Sequence, residues 1–76
     1  MAVEVLFFGK LVEIAGPSLT IDDVKTTDEL LEKLRLQYPL LAAEKYVVAV
    51  DKKTITENTS LTKSSTVALL PPFSGG

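Results

Sequence analysis

The chain closes on "PPFSGG", Pro71 to Gly76, and this stretch offers the most definite chemistry in the sequence. A carboxylate on Gly76 is a poor electrophile as it stands. Coupled by a partner enzyme to a nucleotide, it becomes an acyl-adenylate that sulfur or an amine can attack, with the whole protein as the carried acyl group. Gly75 and Gly76 lack a Cβ, so the backbone can thread a narrow active site and approach reacting groups closely. Pro71 and Pro72 have fixed φ, favour an extended path away from the preceding strand and reduce the entropy lost when the tail is bound. Fully extended, residues 71–76 reach roughly 20 Å.

The remaining side chains point away from self-sufficient catalysis. The sequence has no cysteine and no histidine, which excludes a Ser-His-Asp triad, a thiol nucleophile, a disulfide framework and the common transition-metal sites, so no metal site is expected. Asp22 with Asp23 and Asp28 with Glu29 are paired carboxylates, but their positions suit a solvated turn and a helix cap. Lys52 and Lys53 likewise suit a turn. A net charge of −2 with scattered basic residues argues against nucleic acid as the main partner. The apolar run in "MAVEVLFFGKLVEIAG" is too short to span a membrane and lacks the basic start of a signal peptide, so it reads as structure; the absence of cysteine suits a reducing compartment, and the expected setting is the cytoplasm.

The elements that must position the tail follow from periodicity. Seventy-six residues, 46% of them hydrophobic, suffice for one domain whose core has to carry the fold alone. "VEVLFF", Val3 to Phe8, reads as a strand with Val3, Val5 and Phe7 on one face and Glu4, Leu6 and Phe8 on the other. Leu11, Ile14 and Ala15 suit a short helical turn stopped by Gly16 and Pro17. "SLTID" alternates as a second strand, hairpin-paired with the first. In "TTDELLEKLRLQYP", Thr26 and Glu29 form a capping box and Leu30, Leu31 and Leu34 an apolar stripe; Pro39 ends the helix. Glu29 with Lys33 and Glu32 with Arg35 have ion-pair spacing. "YVVAV" and "TIT" read as a hairpin turned by "DKK". "ENTSLTKSS" is a polar connection anchored by Leu61, and "TVALL" is the last strand, stopped by Pro71.

Strands at both ends and one amphipathic helix needing cover imply an α+β fold, a mixed sheet curled around one main helix, with the first and last strands parallel at its centre. This is the β-grasp, or ubiquitin-like, arrangement. The expected division is a domain over residues 1–70 and an extended diglycine tail over 71–76. If the helix covers Val5, Phe7, Val67 and Leu69, the opposite sheet face leaves Phe8 and Leu70 uncovered, with Phe73 beyond the prolines, a patch suited to partner binding.

Three stretches carry a family resemblance: "VLFFGKLVEIAG" (Val5 to Gly16), "VAVDKK" (Val48 to Lys53) and "VALLPPFSGG" (Val67 to Gly76). Across essentially its whole length the chain resembles the MoaD family of ubiquitin-like sulfur carriers, the small subunits of molybdopterin synthase. It departs from the family pattern at Asp51, where asparagine is frequent, and at Ser64 and Ser65, where Gly-Asp is common. The resemblance implies a cycle in which an adenylyltransferase of the ubiquitin-activating type uses Mg-ATP to adenylate Gly76 and a sulfur donor converts the adenylate to a thiocarboxylate. The loaded tail then enters the large synthase subunit, in a heterotetramer, and attacks a cyclic pyranopterin on the way to molybdopterin and the molybdenum cofactor. On this reading the chain binds no cofactor and is not an enzyme on its own. Gly76 is the carrier, Gly75 gives clearance, and Phe8, Leu70, Pro71, Pro72 and Phe73 meet the partners. Sulfur carriage for thiazole or tRNA thiolation, conjugation to lysines as a protein modifier, and a plain binding module are the alternatives.

Overall fold

The computed structural model describes residues 2–72. Strand β1 runs Ala2–Phe7, followed by a 3-10 turn at Gly9–Leu11 and the short helix α1 at Val12–Ala15. Strand β2 is Ser18–Asp22, helix α2 Thr27–Gln37, and a second 3-10 segment spans Pro39–Ala43; strands β3 (Val47–Val50), β4 (Lys53–Ile55) and β5 (Thr66–Leu70) complete the chain. The five strands form one mixed sheet in the order β2-β1-β5-β3-β4. β1 and β5 are parallel at its centre, and the remaining pairs are antiparallel. The fold is the expected β-grasp.

Parity along β1 and β5 explains the core. Val3, Val5 and Phe7 of β1 and Val67 and Leu69 of β5 are buried on the helix side, joined there by Leu30 and Leu34 of α2. A residue spacing of two on strands and of four on the helix brings these apolar atoms to one interface. Leu11 and Leu41, from the two 3-10 segments, complete the core. Gly16 ends α1 with φ 86, a conformation that favours glycine.

Helix α2 starts as its sequence demands, with one difference. Thr26 Oγ1 accepts from the Glu29 N–H at 3.3 Å, but the Glu29 carboxylate accepts from the Lys25 N–H at 2.9 Å, not from Thr26. The chain reaches the helix through an antiparallel bridge between Thr26 and Ser60, and in that extended approach the Lys25 amide faces Glu29. A second cap comes from far along the chain: Asn58 Oδ1 accepts from the Asp28 N–H at 2.9 Å. Thr27, fully buried, donates its hydroxyl to Asn58 Oδ1 and accepts from the Thr59 N–H at 2.9 Å. The polar connection before β5 is thus stitched to the helix N-terminus.

Neither expected ion pair on α2 is present among the described residues. Lys33 instead donates to the carbonyl oxygens of Asp22 and Asp23 at 2.7 and 3.4 Å, where Asp23 adopts φ 60. An ordered carbonyl pair beside the helix competes well with an exposed carboxylate, whose attraction is weakened by water. The ion pair that does form joins Lys10 to Glu44 at 2.9 Å, linking the two 3-10 segments.

Candidate functional site

Strand β5 delivers the chain to the expected reactive tail, so its register fixes where the tail departs. Val67 lies beside Val5 and Leu69 beside Phe7 in the parallel ladder, and the Phe8 N–H donates to the Leu69 carbonyl at 3.2 Å. On the other flank Val47 lies opposite Leu70. The Leu69–Leu70 end of β5 is therefore held from both sides, and Pro71, which has no N–H to donate, follows.

Pro71 is half-buried and Pro72 exposed. The ring of Pro71 rests against Gly9, which adopts φ 59; a Cβ added there would fall 2.5 Å from Pro71 Cγ and 3.3 Å from Cδ. The periodicity of the sequence does not reveal this contact, which joins two stretches far apart in the chain. Its signal is a glycine two residues past a strand whose parallel neighbour ends in proline. Phe73, Gly75 and Gly76 lie outside the described residues.

The sheet face turned away from α2 forms the second part of the site. Pairing places Leu6 beside Ala68, Ala68 opposite Ala49, and Leu70 opposite Val47, so these residues and Phe8 share one face. Phe8 is 42% exposed, whereas Leu70 is half-buried. Around this apolar centre the same registers set Ser18, Thr20, Glu4, Thr66 and Thr54 as a polar rim. A shallow hollow of about 400 Å³ lies between Phe8, Leu6 and Ala68 and the β3–β4 turn at Asp51 and Lys52. An apolar floor with a polar margin is the surface composition of a docking face.

The β3–β4 turn that borders the hollow is built from two left-handed residues, Asp51 at φ 49 and Lys52 at φ 73. Two consecutive residues of positive φ match the twist of a tight hairpin, and asparagine and aspartate tolerate that region best after glycine. Asp51 is therefore suited to this left-handed position. Among the described residues no helix is long and apolar enough to cross a membrane.

Comparison with known proteins adds a family and several solved structures. The model of the ThiS family matches residues 5–76. A chain from the complex of subunits 1 and 2 of molybdopterin-converting factor of Helicobacter pylori is 30% identical, with 100% of both chains covered and a TM-score of 0.75. Small archaeal modifier protein 1 of Methanosarcina acetivorans is 25% identical, with 99% of this chain and 96% of that one covered and a TM-score of 0.83. A putative molybdopterin converting factor subunit 1 from Pyrococcus furiosus shares the fold at 18% identity, a TM-score of 0.82 and coverage of 96% and 99%.

Proposed function

The chain belongs to the ThiS family and is a ubiquitin-like carrier of the ThiS/MoaD type, and on that premise we propose that it supplies sulfur for molybdopterin synthesis as a thiocarboxylate on Gly76. The observation that carries this reading is the full-length match, at 30% identity, to a chain of the molybdopterin-converting factor complex. In the proposed cycle a Gly76 carboxylate oxygen attacks the α-phosphate of ATP, held with magnesium by the activating enzyme, and pyrophosphate leaves. Hydrosulfide supplied by the donor then adds to the acyl carbon and AMP departs, leaving the thiocarboxylate and a proton. The cycle belongs to the cytoplasm.

The loaded tail next delivers sulfur to the cyclic pyranopterin in the large subunit, whose own groups supply acid and base. A dithiolene holds two sulfurs and one terminus carries one, so two loaded chains are consumed for each pterin completed. The apolar sheet face around Phe8 and Leu70 holds the domain on each partner, while Pro71, Pro72 and Phe73 guide the tail. The test is a single-turnover reaction of purified thiocarboxylated chain with the large subunit and pyranopterin precursor. Two carriers lost per dithiolene formed supports the reading; no dithiolene refutes it.

A second reading, conjugation of Gly76 to lysines of other proteins, is favoured by the likeness to small archaeal modifier protein 1, whose TM-score of 0.83 exceeds the 0.75 of the converting-factor chain. Both readings share the adenylate and divide at the nucleophile. Diglycine remnants on lysines of many unrelated proteins would favour modification; their absence alongside dithiolene synthesis favours sulfur supply.

A further inference from the structure

We propose that Gly9 is a positioning residue for the reactive tail: its bare Cα seats the Pro71 ring and thereby sets the line on which the chain leaves the sheet toward Gly76. This rests on the proposed reaction at Gly76 but not on which partner uses it.

Four features make the seat firm on the Gly9 side. The turn that carries Gly9 is pinned by Leu11, which is fully buried, and by the Leu11 N–H donating to the Phe8 carbonyl at 3.2 Å. Lys10 is further tied to Glu44 at 2.9 Å. Immediately before Gly9, the Phe8 N–H is held by the Leu69 carbonyl. The turn therefore cannot retreat without opening the core.

Pro71 is the member able to move, because β5 ends at Leu70 and Pro71 has no amide to pair. A side chain on residue 9 would meet Pro71 Cγ at 2.5 Å, well inside contact distance, so the ring would have to swing outward. Pro71 is the root of the chain that leads to Gly76, so a swing there redirects the path along which the terminus is delivered. Reactions that depend on near-attack geometry are sensitive to displacements on the order of 1 Å. The apolar face of the sheet itself is not altered, so the loss falls mainly on turnover.

The decisive comparison is Gly9→Val, Pro71→Ala and the double variant, with Gly9→Ala as a milder substitute if Gly9→Val does not fold. Pyrophosphate release by the activating enzyme is expected to show Gly9→Val lowering kcat about tenfold with KM changed less than about threefold, and the same substitution made in the Pro71→Ala chain lowering kcat less than about threefold relative to Pro71→Ala alone. A kcat unchanged by Gly9→Val and by Gly9→Ala, or a loss as large in the Pro71→Ala chain as in the unsubstituted one, overturns the seat. Nuclear Overhauser contacts between Gly9 Hα and Pro71 Hγ in the unsubstituted chain provide a readout that needs no activity. Their absence overturns the proposal even if the chain is adenylated, and their presence with no adenylation refutes the reaction at Gly76 and not the contact.

Discussion

Asp51 holds Thr66 by both of its backbone hydrogen-bonding groups: the Asp51 N–H donates to the Thr66 carbonyl at 2.8 Å, and Asp51 Oδ1 accepts from the Thr66 N–H at 2.9 Å. A left-handed turn residue thus also fixes the start of β5, the strand that leads to the tail. Asp51→Asn keeps the acceptor and the tolerance for positive φ, and is expected to change stability by less than about 0.5 kcal/mol. Asp51→Ala loses both and is expected to cost about 1–3 kcal/mol. Urea unfolding of the three proteins checks this ordering.

Asn58 ties the polar connection to α2 across 30 residues of chain through the Asp28 amide. Asn58→Ala is expected to destabilise by about 1–2 kcal/mol, the usual effect of removing a helix cap. Hydrogen exchange is the sharper measurement. Protection of the Asp28 amide is expected to fall, while that of amides in β1 and β5 falls only as far as global stability does.

Phe8 is a large exposed apolar side chain on the proposed docking face. Phe8→Ala is expected to leave the unfolding midpoint nearly unchanged and to weaken binding to the activating enzyme and to the large subunit by about 1–2 kcal/mol, roughly a five- to thirtyfold rise in Kd. Titration calorimetry with each partner checks it. Equal affinities for both forms would place the docking face elsewhere.

A single phenylalanine added after Gly76 tests the demand for an unblocked, slim end. The terminal carboxylate is retained but now sits on a residue with a Cβ and a ring, so pyrophosphate release by the activating enzyme is expected to fall at least about a hundredfold while thermal stability is unchanged. Turnover equal to that of the chain ending at Gly76 would show that clearance is not required.

The fold was legible because its longest signals are periodic. Alternation in "VEVLFF" and "TVALL" named the faces of the two central strands, and the Leu30–Leu34 stripe with the Thr26 cap located the helix. What sequence could not show depends on contacts made through space. Leu41 sits in an irregular stretch and is core because a 3-10 segment folds it under. Thr27 is polar yet buried, satisfied by Asn58 and Thr59 more than thirty positions on. At the site, the parity of Phe8 and Leu70 could be read directly, whereas the seat between Gly9 and Pro71 required the parallel register of β1 and β5.

Intact-mass spectrometry tests the central claim most directly. Incubating the chain with its activating enzyme, Mg-ATP and a sulfur donor is expected to add about 16 Da, sulfur in place of one oxygen, with fragmentation placing the change on Gly76. A mass that stays unchanged while the same enzyme and donor load a known carrier would contradict it.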